Sequence, residues 1–183
     1  MANDAVTAYS RTAIFLHWLT ALFIIASFTL GLSMVDLPLS PKKLQWYSWH
    51  KWMGVTIFML TAFRLLWRIG HRAPPLPFDM PSWQIKAAHV THWLLYALLL
   101  LIPLSGWFRS AAGGVQVVFL GVIPLPNPIS VEKPLAEQLK LLHQALNYMM
   151  AVLVFAHVVA ALKHHVIDKD DILARMVPFL KSK

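Results

Sequence analysis

The stretch 138–165, QLKLLHQALNYMMAVLVFAHVVAALKHH, decides how the rest of the chain is read. It is long enough to cross an apolar bilayer core of about 30 Å, which takes about 20 helical residues. Two histidines, His143 and His157, interrupt its apolar part fourteen residues apart. At about 1.5 Å of rise and about 100° of turn per residue, fourteen steps cover about 21 Å and stop about 40° short of four turns. Both imidazoles therefore leave one face of the helix, one near each side of the membrane.

With 183 residues, of which 58% are hydrophobic and 13% charged, and a mean hydropathy of +0.59, the chain is too apolar for an ordinary soluble domain and reads as an integral membrane protein. Cysteine is absent. That removes disulfides, thiolate-bound iron-sulfur clusters or zinc, and covalently attached c-type haem, and leaves histidine as the metal ligand. A net charge of +8 would suit nucleic acid, yet the basic residues flank apolar runs and form no domain of their own. A lipid bilayer, not nucleic acid, is the expected partner.

The apolar runs predict an all-α fold: a single membrane domain over 1–183, built as a four-transmembrane-helix bundle with spans at about 13–35, 46–67, 85–108 and 138–163. The first run is longer than a signal-peptide core and follows a tail containing Asp4, so it is kept as a helix. The connector DLPLSPKKLQ (36–45) leads to the second span. The connector RIGHRAPPLPFDMPSW (68–83) is predicted to end in a short surface helix before the third, which Pro103 kinks rather than ends. Within the 110–138 loop, the apolar piece VQVVFLGVI (115–123) is too short to span, and prolines 124, 126, 128 and 134 break the chain after it, which predicts a surface cap. The tail KHHVIDKDDILARMVPFLKSK is predicted to hold a weakly amphipathic helix around Asp170 to Val177.

Lysine and arginine counts orient the bundle. The side bearing both termini has ten (Arg11, Arg64, Arg68, Arg72, Lys86, Lys163, Lys169, Arg175, Lys181, Lys183), and the other six (Lys42, Lys43, Lys51, Arg109, Lys133, Lys140), which places the termini in the cytoplasm. On the outer side, six cations against Asp36, Glu132 and Glu137 leave net +3, enough to attract a small anion.

This topology sorts the histidines by depth. His17 on the first span lies with His157 near the inner face, and His50 on the second lies with His143 near the outer face. A lone histidine in a membrane helix can simply hydrogen-bond to a neighbour, but two pairs at matched depths suit two haems, each iron held by imidazoles from opposite faces. Arg64, fourteen residues after His50, reaches the inner tier, where it needs an anion such as a haem propionate. Gly31 and Gly54 are placed to admit a flat macrocycle, or equally to let helices pack closely. His71 falls in a loop, and His89, His92, His164 and His165 at the inner boundary; His89, His92 and His164 are candidates to touch a quinone or carry its proton.

The motifs HW (17–18), HKWMG (50–54), RLLWR (64–68), AHVTHWLLY (88–96) and LKHHVIDKDDILARMVP (162–178) resemble the bacterial cytochrome b561 family along nearly the whole chain. The resemblance implies a four-helix bundle with two haem b groups in the bacterial inner membrane, passing electrons between the periplasmic side and the quinone pool. It also implies a superoxide oxidase-like activity, in which superoxide gives an electron at the outer haem and ubiquinone receives it. Lys42, Lys43, Lys51, Arg109 and Lys140 are then candidates for an anion funnel, although each alone can be an ordinary snorkelling or propionate-pairing cation. Fully ligated irons need no general base, so no catalytic residue is assigned. A quinol-linked electron shuttle to a periplasmic redox protein is the alternative. A histidine-based metal transporter is disfavoured, because the spans hold no carboxylates.

Overall fold

The computed structural model describes residues 8–71, 73–78 and 80–180. Asp4 and three cations of the charge count, Arg72, Lys181 and Lys183, lie outside them. Four helices, α1 (Arg11–Val35), α2 (Pro41–Gly70), α3 (Ser82–Ala112) and α4 (Lys133–Lys163), are each apolar and long enough to cross a membrane, and a π-helical turn, His164–Asp168, continues the last. The chain is an all-α membrane bundle.

The helices outrun their apolar windows because their ends are built to start early. The Ser40 hydroxyl accepts from the Lys43 amide at 3.3 Å, with Pro41 in the first turn of α2. Pro134 likewise sits in the first turn of α4, where its missing N–H would have had no helical partner. It opens the helix instead of breaking the chain as its residue type suggested. The surface helix expected before the third span proves to be the first turns of α3, and α3 continues through Pro103 without ending.

Sequence neighbours pack on one another, α1 on α2, α2 on α3 and α3 on α4, whereas the backbone of α4 makes no comparable approach to α1 or α2. At mid-depth Ile57, Leu98, Leu99 and Met150 form the core, with Phe23 and Ile24 packed against it. Ile24 and Ile57 lie seven residues beyond His17 and His50, and Met150 lies seven from both His143 and His157. Seven residues return a helix to within about 20° of the same face. The apolar layer is therefore set between two histidine tiers by sequence spacing alone. Thr20 and Thr61 are fully buried and turn their hydroxyls back to the carbonyls of Leu16 (2.6 Å) and Ile57 (2.7 Å).

The cap expected between the third and fourth spans is a small ribbon. Strands β1 (Val118–Phe119) and β2 (Ile123–Pro124) pair antiparallel, with Phe119 opposite Ile123. Leu120 and Gly121 make the reversal at φ 53° and 74°. Two tryptophans hang the ribbon from the bundle: Trp52 Nε1 donates to the Val118 carbonyl at 2.7 Å and Trp107 Nε1 to that of Pro126 at 3.1 Å.

The tail departs from expectation. Residues 171–180 wind through successive turns, not the helix expected at 170–177. Trp18 Nε1 donates to the Met176 carbonyl at 2.8 Å, and Arg175 donates to the carbonyl of Pro75 while pairing with Asp171 at 2.9 Å. Isolated two-turn helices are marginal, and these distant contacts outweigh one. They also tie residues 171–180 to the start of α1 and to the connector between α2 and α3 at one end of the bundle, called proximal below; the ribbon marks the distal end.

Candidate functional site

At the distal tier, His50 on α2 faces His143 on α4, with ring centres 6.2 Å apart and planes at 85°. His50 Nδ1 lies 3.0 Å from the Ser27 carbonyl and 3.2 Å from its hydroxyl. His143 Nδ1 lies 3.1 Å from the Ile102 carbonyl and 2.9 Å from the Ser105 hydroxyl, which itself donates to Ile102 at 2.7 Å. A carbonyl only accepts, so both Nδ1 atoms donate and both Nε2 atoms keep a lone pair. Glycines make room for the rings. A Cβ on Gly31 or on Gly106 would stand 3.2 Å from the Cε1 of His50 or His143 respectively. Gly31, expected to admit a macrocycle, thus has an imidazole as its close neighbour. Gly54 is different: nothing lies within 4 Å of its would-be Cβ, and with both distal histidines it lines a small cleft of about 60 Å³.

At the proximal tier, His17 on α1 faces His157 on α4, with ring centres 6.3 Å apart and planes at 52°. A metal sits about 2 Å from an imidazole nitrogen and about 1 Å further from the ring centre, so two imidazoles across one metal put their centres about 6 Å apart. The ring separations of both tiers match that spacing.

Arg64 reaches the proximal tier, as its spacing predicts, with Nη2 3.3 Å from His17 Nδ1. Its guanidinium and that of Arg68 stand 5.5 and 5.9 Å from the ring centre of Tyr96. Arginine only donates, so this contact holds His17 Nδ1 as an acceptor. For His17 to offer Nε2 to a metal, the proton must move to Nδ1 and Arg64 must turn to another acceptor. A porphyrin carboxylate has the right charge for that.

His92 packs edge-on against His157 at 5.5 Å, closer than two imidazoles spanning a metal, so it is a neighbour of the pair and not a third partner in it. Together with His89, Arg68, Trp93 and Tyr96 it lines a shallow cleft of about 20 Å³. His164 does not line that cleft. Its Nδ1 is held by Asp170 at 2.7 Å and Asp168 at 3.1 Å, and Lys163 pairs with Asp168 at 2.6 Å. His71 ends α2, stacked on Trp67 at 3.9 Å.

The five distal cations separate. Lys43 donates to the carbonyls of Val35 and Leu37 at the end of α1, Lys140 pairs with Glu137 at 3.2 Å, and Lys42 stands 5.1 Å over the Trp46 ring. Lys51 and Arg109 have no carboxylate within 4.0 Å among the described residues. They lie in electrostatic range of each other and of His50. Sequence reading did not separate these five, although the Lys140–Glu137 and Lys42–Trp46 contacts, three and four residues apart on one helix, were legible in the spacing. It also missed Gly106, although a glycine beside the only proline inside α3 was a signal of close approach.

A family profile described as prokaryotic cytochrome b561 matches residues 8–179. The chain belongs to the prokaryotic cytochrome b561 family. Among its relatives, cytochrome b561 homolog 2 of Escherichia coli K12 is 37% identical over 166 residues, covering 88% of this chain and 86% of the relative. Cytochrome b561 homolog 1 of the same organism is 34% identical over 176 residues, covering 93% and 97%. A Yersinia pestis protein named probable superoxide oxidase CybB is 31% identical over 175 residues, covering 93% and 96%. Like other cytochromes b561, the chain is a multi-pass protein of the bacterial inner membrane that binds haem b and transfers electrons.

Proposed function

We propose that the chain holds two haem b groups, one between His50 and His143 and one between His17 and His157, and relays electrons from superoxide at the distal end to ubiquinone at the proximal end. The observation behind this reading is the pair of imidazole couples with ring centres 6.2 and 6.3 Å apart. Bound between two imidazoles, haem b supplies a one-electron iron couple with no open coordination position.

The residues around each tier then have defined work. Carbonyl acceptors on Ser27 and Ile102 hold the distal imidazoles in the ligating tautomer and fix their orientation. Arg64 turns from His17 to a porphyrin carboxylate, and Gly54 leaves the distal cleft open to the macrocycle. Lys51 and Arg109 raise the local concentration of a small anion at the distal end. The cleft beside His157 offers Arg68 and Tyr96 as hydrogen-bond donors to a quinone head, with His89 and His92 to exchange its protons. His164, held outside that cleft by two carboxylates, serves proton supply and not quinone contact. The excess of basic residues toward the proximal end in the sequence supports a cytoplasmic position for that end, and the Yersinia relative's name supports superoxide as donor.

The purified protein should show two haem b per chain in a reduced-minus-oxidised spectrum. Superoxide should reduce it at a rate that falls as salt is raised. Changing Lys51 and Arg109 together to Gln should slow this reduction about 10-fold at low salt with haem content unchanged. One haem per chain, or a salt-independent rate, counts against the proposal. The exposed apolar tip of the ribbon, Val122 and Ile123, favours a second reading, quinol-linked delivery to a periplasmic redox protein. That reading wins if superoxide reduces the protein no faster than buffer does while quinol reduces it quickly.

A further inference from the structure

The π-helical turn that ends α4 gathers three metal-donor side chains outside the histidine tiers. His164 and Asp168 lie four residues apart on it, and Lys169, at φ 56°, turns the chain so that Asp170 folds back beside them. The Asp170 N–H donates to the His164 carbonyl at 3.2 Å, and Asp170 Oδ1 accepts from the Ile172 N–H at 3.0 Å. That leaves the other oxygen for the imidazole. His164 Nδ1 stands 2.7 Å from Asp170 Oδ2 and 3.1 Å from Asp168 Oδ2, and one donor atom from each residue lies within 4.8 Å of the other two. Among the described residues, this is the one place where three histidine or carboxylate donors converge so closely. Hydrogen bonding alone leaves the cluster half satisfied. A single Nδ1–H faces two carboxylate oxygens and makes one short, straight bond, not two. Lys163 Nζ offsets Asp168 at 2.6 Å, but that side chain is 39% exposed and can turn to water.

The geometry points to a binding site for one first-row divalent transition metal ion, held by His164 Nδ1, Asp168 and Asp170 at the proximal end. Ligands about 2.1 Å from one metal stand about 3.0 Å apart in octahedral geometry and about 3.4 Å apart in tetrahedral. The 3.1 Å contact already has that length, and the 2.7 Å contact has only to open slightly. Nδ1 ligates once its hydrogen has moved to Nε2. An imidazole nitrogen among the donors suits zinc, manganese or ferrous iron and selects against calcium and magnesium, which take oxygen. The site is separate from the tiers: His164 lies seven residues past His157, about 10 Å further along the helix. Its structural effect is to fasten the tail. Asp170 opens the segment that reaches Trp18 through the Met176 carbonyl and Pro75 through Arg175, so a metal clamps that segment to the last turn of α4. While bound, the metal also withdraws His164 from the proton supply proposed above, although the site does not rest on that role.

The test uses the full, haem-loaded chain in detergent micelles, without a histidine tag, dialysed against radioactive zinc. One zinc per chain should bind saturably with the haem spectrum unchanged, and excess calcium should not displace it. Asp168→Asn combined with Asp170→Asn should weaken binding by at least about 10-fold. Lys163→Gln, which removes the competing ammonium, should tighten it about 5-fold. Amide exchange over 165–178 should slow about 10-fold with zinc in the unaltered chain and stay the same in the double variant. Absence of saturable zinc at micromolar concentrations, in the unaltered chain and in Lys163→Gln alike, would overturn the assignment, because the four groups would then be a self-sufficient ion-pair cluster. Equal binding by the double variant, or loss of haem as zinc binds, would also overturn it, because the ligands would then lie elsewhere.

Discussion

Gly106 and Ser105 show how much of the distal tier rests on small atoms. A valine at 106 would drive methyl groups into a space where even a Cβ stands 3.2 Å from the His143 ring. Gly106→Val should therefore lower haem content from two per chain to one, measured against protein by pyridine haemochrome. Ser105→Ala keeps the Ile102 carbonyl as an acceptor but removes the 2.9 Å contact to His143 Nδ1. An N–H donated to an acceptor makes imidazole a stronger donor to ferric iron. Losing about 1 kcal/mol of that bond should raise the distal midpoint potential by about 40 mV in a redox titration. Arg64→Gln acts in the opposite direction at the other tier. Removing a cation beside His17 destabilises the reduced form, and the proximal potential should fall on the order of 50 mV.

Among the elements, the four helices and their histidine depths were legible because two patterns coincide: hydrophobic runs long enough to span, and histidines near the ends of those runs, two of them fourteen residues apart in α4. The pairing of His17 with His157 and of His50 with His143 needed only up-and-down connectivity. The ribbon was not legible. Its strands are two residues each, shorter than any window in which alternation registers, and it stands because Trp52 and Trp107 hold its carbonyls from neighbouring helices. Changing both to Phe should loosen 115–131, seen as faster amide exchange there, at a cost of about 1 kcal/mol per bond and with both haems retained. The tail eluded sequence reading for the same reason: its contacts reach Trp18 and Pro75, far away in the chain.

Across the whole molecule, the proximal end is where the start of α1 meets residues 171–180, with Trp18 bonded to the Met176 carbonyl. Tyr9, just ahead of α1, has its phenol pushed above the ordinary range chiefly by burial, against the opposing charge of Arg68. A group whose folded value is raised lends stability that is whole below its unfolded value and drains away as pH climbs through the folded one. Melting temperature should hold up to about pH 10 and then fall, and Tyr9→Phe should remove that alkaline loss. The serial packing of the helices has a wider consequence. Since α4 meets α1 and α2 through the mid-depth apolar core and the two imidazole couples without close backbone approach, a porphyrin in each tier would add the contacts that join α4 to the start of the helix series, and porphyrin supply would be coupled to maturation of the polypeptide. Cells starved of iron should clear newly made chains by proteolysis, so that the amount of this cytochrome tracks the availability of its pigment more than the level of its messenger.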